Sequence, residues 1–218
     1  MDRNDNLLII GAGVLGLVAK DIAEETNRFK KICFLDDNVS QAPNGIKVIG
    51  KCNDIEKYSV DFGNVLVAIR DAKARMQMIA KVEESACRMI SLISKSAHIS
   101  TSAQIGDGCI IEPTAVIGTG CVLSKGCYVC SGAIIGHISM LCEGVDVESN
   151  ATVCEKTIVP AGMKIAVGTV YRREGVNEKD LFYNPENLQE KLVSFTVKVP
   201  QGGPENIEGQ NYSFDDVM

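Results

Sequence analysis

An aliphatic residue recurs at every sixth position between residues 93 and 165, and this spacing limits the possible folds more than any other feature. A period of six fits neither the 3.6-residue period of a helix nor the two-residue period of a strand. It is typical of a solenoid of stacked triangular coils, in which three hexads complete one coil. The thirteen aliphatic positions are Ile93, Ile99, Ile105, Ile111, Ile117, Leu123, Val129, Ile135, Leu141, Val147, Val153, Val159 and Ile165.

Small residues accompany the repeat two positions before most of the aliphatic ones, as at Ala115 and Cys121. We expect them to fit beside the aliphatic side chains at the narrow corners of the solenoid. Glycine follows the aliphatic residue at Gly106, Gly118 and Gly136, where we expect it to permit the turn. About four coils fit in this stretch, stacked at the strand spacing of about 4.8 Å.

A glycine-rich loop follows an apolar run near the start of the chain. Residues 7–10 predict a buried strand, and the loop after it predicts the start of an amphipathic helix that ends near residue 26. A second strand, residues 31–35, ends at Asp36 and Asp37. Glycines let the backbone approach a phosphate, and a carboxylate about 20 residues later can bind ribose or base. The glycines form a G-x-G-x-x-G motif and are Gly11, Gly13 and Gly16.

The remaining pattern before residue 93 completes a small α/β domain over residues 1–92. It predicts strands near residues 47–49, 65–69 and 88–92, and a helix over residues 71–85. Alternating strands and helices indicate a Rossmann-like parallel sheet. Because this stretch is too short for both halves of a dinucleotide fold, we expect a mononucleotide or sugar-nucleotide site.

The composition limits which classes of binding partner and which cellular compartment we expect for this chain. The net charge is -6 and no basic stripe is present, which makes nucleic acid an unfavourable partner. No stretch reaches the roughly 18 apolar residues of a membrane span, and the N-terminus lacks a signal-peptide pattern. Nine cysteines, an odd number, indicate reduced thiols in the cytoplasm. Cys127 and Cys130 form a C-x-x-C, but Cys127 occupies a small-residue position of the repeat.

These motifs together resemble the bacterial sugar acyltransferases. The resemblance covers roughly residues 5–173 and depends on the glycine-rich loop, the Asp36–Asp37 turn, and the Ile135-Gly136-His137 corner in the repeat. The family includes sialic-acid O-acetyltransferases and N-acetyltransferases that act on nucleotide-linked 4-amino sugars. It implies a left-handed parallel β-helix over residues 93–173, acetyl-CoA as co-substrate between neighbouring subunits, and a homotrimer.

The resemblance also implies a function and its site residues. It predicts acetyl transfer to the amine or hydroxyl of a UDP- or dTDP-linked 4-amino sugar in surface-polysaccharide or glycan biosynthesis. Gly11, Gly13, Gly16, Asp36 and Asp37 then bind the sugar nucleotide, as the motif analysis also indicates. No metal is implied.

His137 resembles the catalytic base of the family. Glu155 lies eighteen residues later, one full coil along the same edge, and is expected to orient the imidazole. Asp146 stands where the family has a second histidine that contacts the cofactor, which makes it a candidate cofactor-binding residue. Ile138 replaces the acidic residue that usually follows the catalytic histidine. No cysteine has an activating base beside it, so direct attack without an acyl-enzyme is expected.

The tail, residues 174–218, is acidic and contains five of the eleven aromatic residues of the chain. Residues 193–199 alternate between apolar and polar, which predicts a half-buried strand. We expect the tail to cap the last coil or to pack on a neighbouring subunit. A flexible acidic extension is the alternative interpretation.

Other functions remain alongside the acyltransferase. A non-catalytic protein for sugar-nucleotide binding or assembly could use the same scaffold. A β-helix carbonic anhydrase is disfavoured because the two histidines, His98 and His137, do not supply the usual three imidazole ligands. A dehydrogenase is disfavoured because no catalytic domain follows the glycine-rich loop.

The repeat leads to a prediction about assembly. An isolated prism of four coils exposes long flat faces, and the resembling family closes its cofactor site between subunits. Multi-angle light scattering at micromolar concentration should therefore give about three times the chain mass of 23.5 kDa. A measured mass of one chain would contradict the homotrimer.

Overall fold

A five-stranded parallel sheet precedes a long solenoid in the computed structural model, which describes residues 3–38 and 47–172. The predicted fold class is confirmed: a Rossmann-like α/β part is followed by a left-handed parallel β-helix. A 3₁₀ helix, Arg3–Asp5, opens the α/β part. Its elements are β1 (Asn6–Ile10), α1 (Val14–Thr26), β2 (Lys31–Leu35), β3 (Val48–Gly50), α2 (Ile55–Tyr58), β4 (Asn64–Val67), α3 (Ala72–Glu83) and β5 (Arg88–Met89).

The strand order of this sheet is β3-β2-β1-β4-β5. Strands β1 and β4 are buried along their whole length, because α1 packs on one face of the sheet and α3 on the other. The chain moves outward from β1 in both directions, so the strand order reverses between β1 and β4. In open α/β sheets, ligands bind outside the carboxyl ends of the strands at such a point.

Several boundaries differ by one or two residues from those that the sequence predicts, and two of the differences have a clear structural reason. Helix α3 begins one residue later than expected because Asp71 is its N-cap, and the Asp71 side chain accepts a hydrogen bond from the Ala74 N–H at 2.7 Å. The predicted strand over residues 88–92 is two strands, since β5 joins the α/β sheet and β6 joins the solenoid. The predicted domain boundary at residues 92/93 therefore falls inside β6.

The solenoid consists of two-residue strands arranged in three parallel sheets. Residues 18 apart pair in register, as Ile117 does with Ile135. The strands are β6 (Leu92–Ile93), β7 (His98–Ile99), β8 (Gln104–Ile105), β9 (Ile110–Ile111), β10 (Val116–Ile117), β11 (Val122–Leu123), β12 (Tyr128–Val129), β13 (Ile134–Ile135), β14 (Met140–Leu141), β15 (Asp146–Val147), β16 (Thr152–Val153), β17 (Ile158–Val159), β18 (Lys164–Ile165) and β19 (Val170–Tyr171).

The interior of the solenoid is the predicted one. The aliphatic residues from Ile111 to Ile165 and the small residues beside them form a single buried cluster, with Cys109, Cys121 and Cys127 as small hydrophobes. The solenoid continues beyond Ile165, the last aliphatic residue of the repeat, because β19 pairs with β16. Tyr171 occupies the next interior position and packs against the cluster, but it is not aliphatic, so the repeat pattern missed it.

The turns use a different position from the predicted one. Gly106, Gly118 and Gly136 do not have positive φ; a Cβ on Gly136 would lie 2.5 Å from the Glu155 nitrogen of the next coil. These glycines therefore permit close stacking. From Gly108 onward the positive φ occurs two positions later in each hexad, at Gly108, Thr114, Gly120, Gly126, Gly132, Ile138, Gly144, Asn150, Lys156, Gly162 and Gly168.

The α/β part packs on the sheet formed by β6, β9, β12, β15 and β18, and both parts lie in one compact unit. The outward residues Leu92, Ile110 and Tyr128 of this sheet are buried in the same cluster as α1. Turn glycines Gly126 and Gly144 lie directly under Met76 of α3, where a Cβ would come within about 3 Å of that side chain. Helix α3 therefore lies close against the turns.

Arg75 of α3 joins the two parts. Its side chain is 1% exposed and forms a salt bridge with Asp146, which is 6% exposed. All five guanidinium N–H donors are used. The acceptors are the Gly126, Gly144, Ile69 and Arg70 carbonyl oxygens and the Asp146 carboxylate. Burial raises the pKa of the Asp146 carboxyl, and the Arg75 charge opposes that shift.

No helix among the described residues is long and apolar enough to cross a bilayer. The predicted tail strand over residues 193–199, and its predicted capping role, lie outside the described residues.

The buried pair gives a stability prediction. Asp146→Asn leaves the Arg75 charge buried without its counterion, and the free energy of unfolding should fall by about 3–5 kcal/mol in urea titrations followed by circular dichroism. Lys125→Met is the matched control, since it removes the exposed ion pair between Lys125 and Glu83 that also joins α3 to the solenoid. Lys125→Met should lower the free energy of unfolding by only about 0–1 kcal/mol. Equal losses in the two variants would contradict the role of Arg75.

Candidate functional site

A cleft of about 520 Å³ opens at the carboxyl ends of β1 and β4, against the outer surface of the solenoid. The strand order of the sheet reverses at this place. The α/β part and the solenoid each form one wall of the cleft. The lining residues are Gly13, Val14, Leu15, Ala68 and Arg70 from the α/β part, and Glu112, Tyr128, Cys130, Glu148 and Ser149 from the solenoid.

The three glycines of the loop after β1 have different structural roles. Gly11 has a φ of 106°, and a Cβ there would lie 2.5 Å from the Ala68 carbonyl oxygen. A Cβ on Gly16 would lie 2.1 Å from the Gly11 oxygen, so only glycine permits α1 to start so close to the loop. A Cβ on Gly13 would meet no atom within 4 Å. Gly13 is thus the loop glycine that faces the cleft, and Gly11 and Gly16 hold the loop in place.

The start of α1 presents backbone donors to the cleft. Gly13 is its N-cap and provides no side-chain hydrogen bond, and the first turn contains no acidic residue. Among the hydrogen bonds of the described residues, none uses the N–H groups of Gly13, Val14 or Leu15. An anionic ligand group at this end of the helix would meet free donors and the positive end of the helix dipole.

Asp36 and Asp37 lie beside the cleft and not in it. They line a second depression of about 360 Å³ with Lys51 and Asp54. The Asp36 carboxylate accepts hydrogen bonds from the Ala12 N–H at 2.7 Å and the Asn38 N–H at 2.8 Å. Asp36 therefore braces the glycine-rich loop. Asp37 accepts from the Cys52 N–H at 3.0 Å and is exposed.

A network of charged and aromatic side chains lines the solenoid wall of the cleft. The Tyr128 hydroxyl donates to Glu112, and Arg70 forms a salt bridge with Glu148 while its guanidinium lies 4.6 Å from the centre of the Tyr128 ring. Burial, with a further contribution from Glu112, raises the pKa of the Tyr128 hydroxyl far above its usual value, so Tyr128 stays neutral.

None of the residues in this network is a predicted site residue, although the sequence contains a signal for them. Glu112 and Glu148 follow β9 and β15 of the same sheet, 36 residues apart in a column with an 18-residue period. Polar residues that recur with the period of the coil at one corner indicate a common surface. Only the neighbouring α/β part, however, makes this corner the wall of a cleft.

His137 lies at another edge of the solenoid. It follows β13, which belongs to the sheet of β7, β10, β16 and β19, and its side chain is exposed. Its Nδ1 accepts a hydrogen bond from the Thr119 N–H at 3.0 Å. In a neutral imidazole this bond leaves the proton on Nε2. Gly118 provides the space, since a Cβ there would lie 2.9 Å from Nδ1.

Glu155 occupies the predicted position one coil beyond His137. Val153 pairs with Ile135, and the Lys156 N–H donates to the His137 carbonyl oxygen at 2.9 Å. Within the described residues, however, the imidazole is hydrogen-bonded to Thr119 and not to Glu155. The predicted register is confirmed, and the orienting role of Glu155 stays a prediction.

Asp146 is buried in the salt bridge with Arg75, two residues before Glu148 of the cleft. Its buried and paired carboxylate holds the two parts of the chain together. The predicted contact of Asp146 with a cofactor stays a prediction.

The cysteines are placed as packing groups. Burial raises the pKa of the Cys121 thiol in the interior and of the Cys130 thiol in the cleft. A raised pKa keeps these two thiols protonated and weakly nucleophilic.

Comparisons with known proteins agree with this architecture. Residues 6–82 match the family model of the PglD N-terminal domain. The acetyltransferase domain of PglB from Neisseria gonorrhoeae FA1090 is similar, with a TM-score of 0.56 and 23% identity over 77% of this chain and 96% of that chain. Its complex with acetyl coenzyme A gives a TM-score of 0.55 and 24% identity over 77% and 95% of the two chains.

A third similar structure is a mutant of perosamine N-acetyltransferase from Caulobacter crescentus, in complex with CoA and GDP-perosamine. It gives a TM-score of 0.53 and 20% identity over 76% of this chain and 90% of that chain. At these identities the solved structures establish the fold. The predicted resemblance to the bacterial sugar acyltransferases is confirmed, by the family model for residues 6–82 and by the fold for the solenoid.

The loop glycines give a matched pair of variants. Gly16→Ala places a Cβ against the Gly11 oxygen and should lower the free energy of unfolding by more than about 1 kcal/mol in urea. Gly13→Ala meets no atom and should leave stability within about 1 kcal/mol of wild type, since its φ of -77° suits alanine. Calorimetry should show weaker binding of UDP- or dTDP-sugars to Gly13→Ala, because the methyl group enters the cleft. Unchanged affinity for all nucleotide sugars would remove Gly13 from the site.

Proposed function

We propose that this protein transfers an acetyl group from acetyl-CoA to the amine of a nucleotide-linked amino sugar. The observation that carries the proposal is the cleft between the glycine-rich loop and the solenoid. It combines free backbone donors at the start of α1 with a volume suited to a small ligand. The match of residues 6–82 to the PglD N-terminal domain and the acetyl coenzyme A complex of the similar PglB domain support the same function.

The nucleotide is proposed to bind along the carboxyl edge of the sheet. Its phosphates would lie near Gly13, and its ribose or base would lie near Asp37, which is exposed in the neighbouring depression. Gly11, Gly16 and Asp36 support this site by holding the loop. UDP- and dTDP-linked 4-amino sugars are the proposed substrates, and GDP-linked sugars are worth testing because the similar perosamine enzyme was solved with GDP-perosamine.

The position of His137 supports a site that a second copy completes. The cleft borders the sheet of β6, β9, β12, β15 and β18, whereas His137 lies at an edge of a different sheet. The outward residues Ile134 and Val170 of that sheet are 43% and 71% exposed, which leaves apolar surface for a neighbouring subunit. In the proposed homotrimer, His137 of one copy faces the cleft of the next, and acetyl-CoA lies between them.

The proposed reaction is direct. The amine nitrogen attacks the thioester carbonyl carbon, the C–S bond breaks with release of the CoA thiolate, and the amine loses a proton. We propose that His137 accepts this proton through Nε2. The imidazole must then release Thr119, carry its own proton on Nδ1 and donate it, for which Glu155 is the proposed acceptor.

The hydrogen bond from Thr119 favours a second role for the same residue. With Nδ1 as acceptor, Nε2–H is a donor that could bind the thioester oxygen as negative charge develops on it. A His137→Gln substitution distinguishes the two roles. A glutamine amide can donate a hydrogen bond to the thioester oxygen, but it does not accept a proton as a base does.

The proposal is tested with a panel of UDP-, dTDP- and GDP-linked 4-amino sugars and acetyl-CoA, with mass spectrometry of the products. An acetylated product is expected from at least one sugar. Binding of a nucleotide sugar without any turnover would favour the non-catalytic binding or assembly protein. Absence of both binding and turnover would contradict the proposed function.

Variants of His137 test the mechanism. If His137 is the base, His137→Ala and His137→Gln should both lower kcat/KM by about 10²–10⁴-fold, with nucleotide-sugar affinity nearly unchanged. If His137 is the donor, His137→Gln should keep much of the activity that His137→Ala loses. Glu155→Gln should have a smaller effect than His137→Ala. Turnover close to wild type in His137→Ala would reject both roles.

A further inference from the structure

The cleft is poor in positive charge for a site that binds a nucleotide diphosphate. Among its described lining residues Arg70 is the one cation, and Glu112 and Glu148 are both carboxylates. Two phosphates add negative charge beside these groups. Binding of the diphosphate therefore requires both carboxylates to be neutralised by other groups and Arg70 to be available.

Glu112 is already satisfied without Arg70. One of its oxygens accepts from the Tyr128 hydroxyl, and the other accepts from the Ser131 N–H at 2.9 Å and the Ser131 hydroxyl at 2.7 Å. Since Tyr128 stays protonated, this donor is retained. Glu112 therefore does not need the Arg70 charge.

Glu148 is shared between two cations. It forms salt bridges with Arg70 and, at 2.8 Å, with Lys164. The Glu148 side chain is only 12% exposed, so loss of every partner would be costly. Lys164 does not line the cleft and is 61% exposed. If Arg70 turned away, Lys164 would still neutralise Glu148.

The backbone of Arg70 is held by a hydrogen bond, whereas its guanidinium group is partly exposed and able to change partners. Its carbonyl oxygen accepts a hydrogen bond from Arg75 at 3.1 Å, which holds the loop after β4. Its guanidinium lies over the Tyr128 ring, and its side chain is 43% exposed. Stacking leaves the edge of a guanidinium free for two parallel hydrogen bonds to a phosphate.

We propose that Arg70 binds the diphosphate of the nucleotide-linked sugar by exchanging Glu148 for phosphate, and that Lys164 keeps Glu148 neutralised during the exchange. This inference rests on the proposed function, since it names a binding residue of the same site. Glu148 acts as a competitor for Arg70 in the ligand-free protein. Lys164 is a positioning residue that acts from outside the cleft.

The test is isothermal titration calorimetry on the full chain with UDP, GDP and dTDP and with the corresponding nucleosides. Arg70→Gln should weaken binding of the preferred diphosphate by about 10- to 100-fold and leave nucleoside binding within about 2-fold. Arg70→Lys keeps the charge but lacks the planar pair of donors, so its diphosphate affinity should lie between those of wild type and Arg70→Gln. Higher salt should weaken diphosphate binding less in Arg70→Gln than in wild type.

The exchange predicts opposite changes in diphosphate affinity for variants of Glu148 and of its partner Lys164. Glu148→Gln removes the competitor and should tighten diphosphate binding by about 5-fold. Lys164→Gln leaves Arg70 as the remaining cation beside Glu148, and should therefore weaken diphosphate binding by about 5-fold. If Glu148 only held Arg70 in place, Glu148→Gln would weaken binding as Arg70→Gln does, and that result would overturn the exchange.

Arg28→Gln is the matched control. Arg28 also lies over an aromatic ring, 5.0 Å from the centre of Phe29, but beyond the far end of α1, about 20 Å from the loop. The Arg28→Gln variant should bind the nucleoside diphosphates with the affinity of wild type. Circular dichroism establishes that each variant is folded before titration.

Failure of this inference differs from failure of the proposed function. Wild-type binding of a nucleotide sugar together with an unchanged affinity in Arg70→Gln would overturn the role of Arg70 and leave the function standing. No binding of any nucleoside diphosphate or nucleotide sugar to the wild type would overturn both.

Discussion

The buried guanidinium of Arg75 is the interaction on which the arrangement of this protein depends. A charge that is 1% exposed must have every donor satisfied, and the five acceptors lie on the loop after β4, on two turns of the solenoid and on Asp146. These groups meet in the observed arrangement of the α/β part and the solenoid, and their hydrogen bonds hold the two parts in it. The same arrangement places the glycine-rich loop opposite the solenoid surface and so defines the cleft.

The repeat of the solenoid makes this contact feasible. Positive φ recurs every six residues, and glycine occupies that position at Gly126 and Gly144 under α3. These two glycines satisfy the turn and also admit Met76 at close range. At the corner beside His137 the same position holds Ile138, a β-branched residue with a φ of 57°, which is unfavourable by about 1–2 kcal/mol. Thr114, which is also β-branched, has a φ of 62° at the same repeat position, so this strain belongs to the turn and does not single out His137.

Two arginines, Arg70 and Arg75, link the stability of the fold to the proposed ligand site. Arg75 fixes the backbone of Arg70, while the Arg70 side chain remains in the cleft beside Glu148 and Tyr128. A rigid base with an adjustable charged tip suits a residue that changes partner on binding. The other proposed element, His137, is placed by the coil on a different sheet, which is why a single chain separates the two halves of the proposed reaction.

The sequence by itself determined the repeating elements of the protein. The six-residue period predicted the interior residues from Ile111 to Ile165 and the stacking of Glu155 one coil beyond His137, because coil geometry repeats along the chain. The glycine motif predicted the loop, but only the structure separated Gly13, which faces the cleft, from Gly11 and Gly16, which hold the loop in place. Tertiary structure alone decided that Asp146 pairs with Arg75 and that Arg70 meets Glu148, since these partners lie 71 and 78 residues apart on separate parts of the chain. No local period relates such residues; their proximity follows from how two buried surfaces fit together.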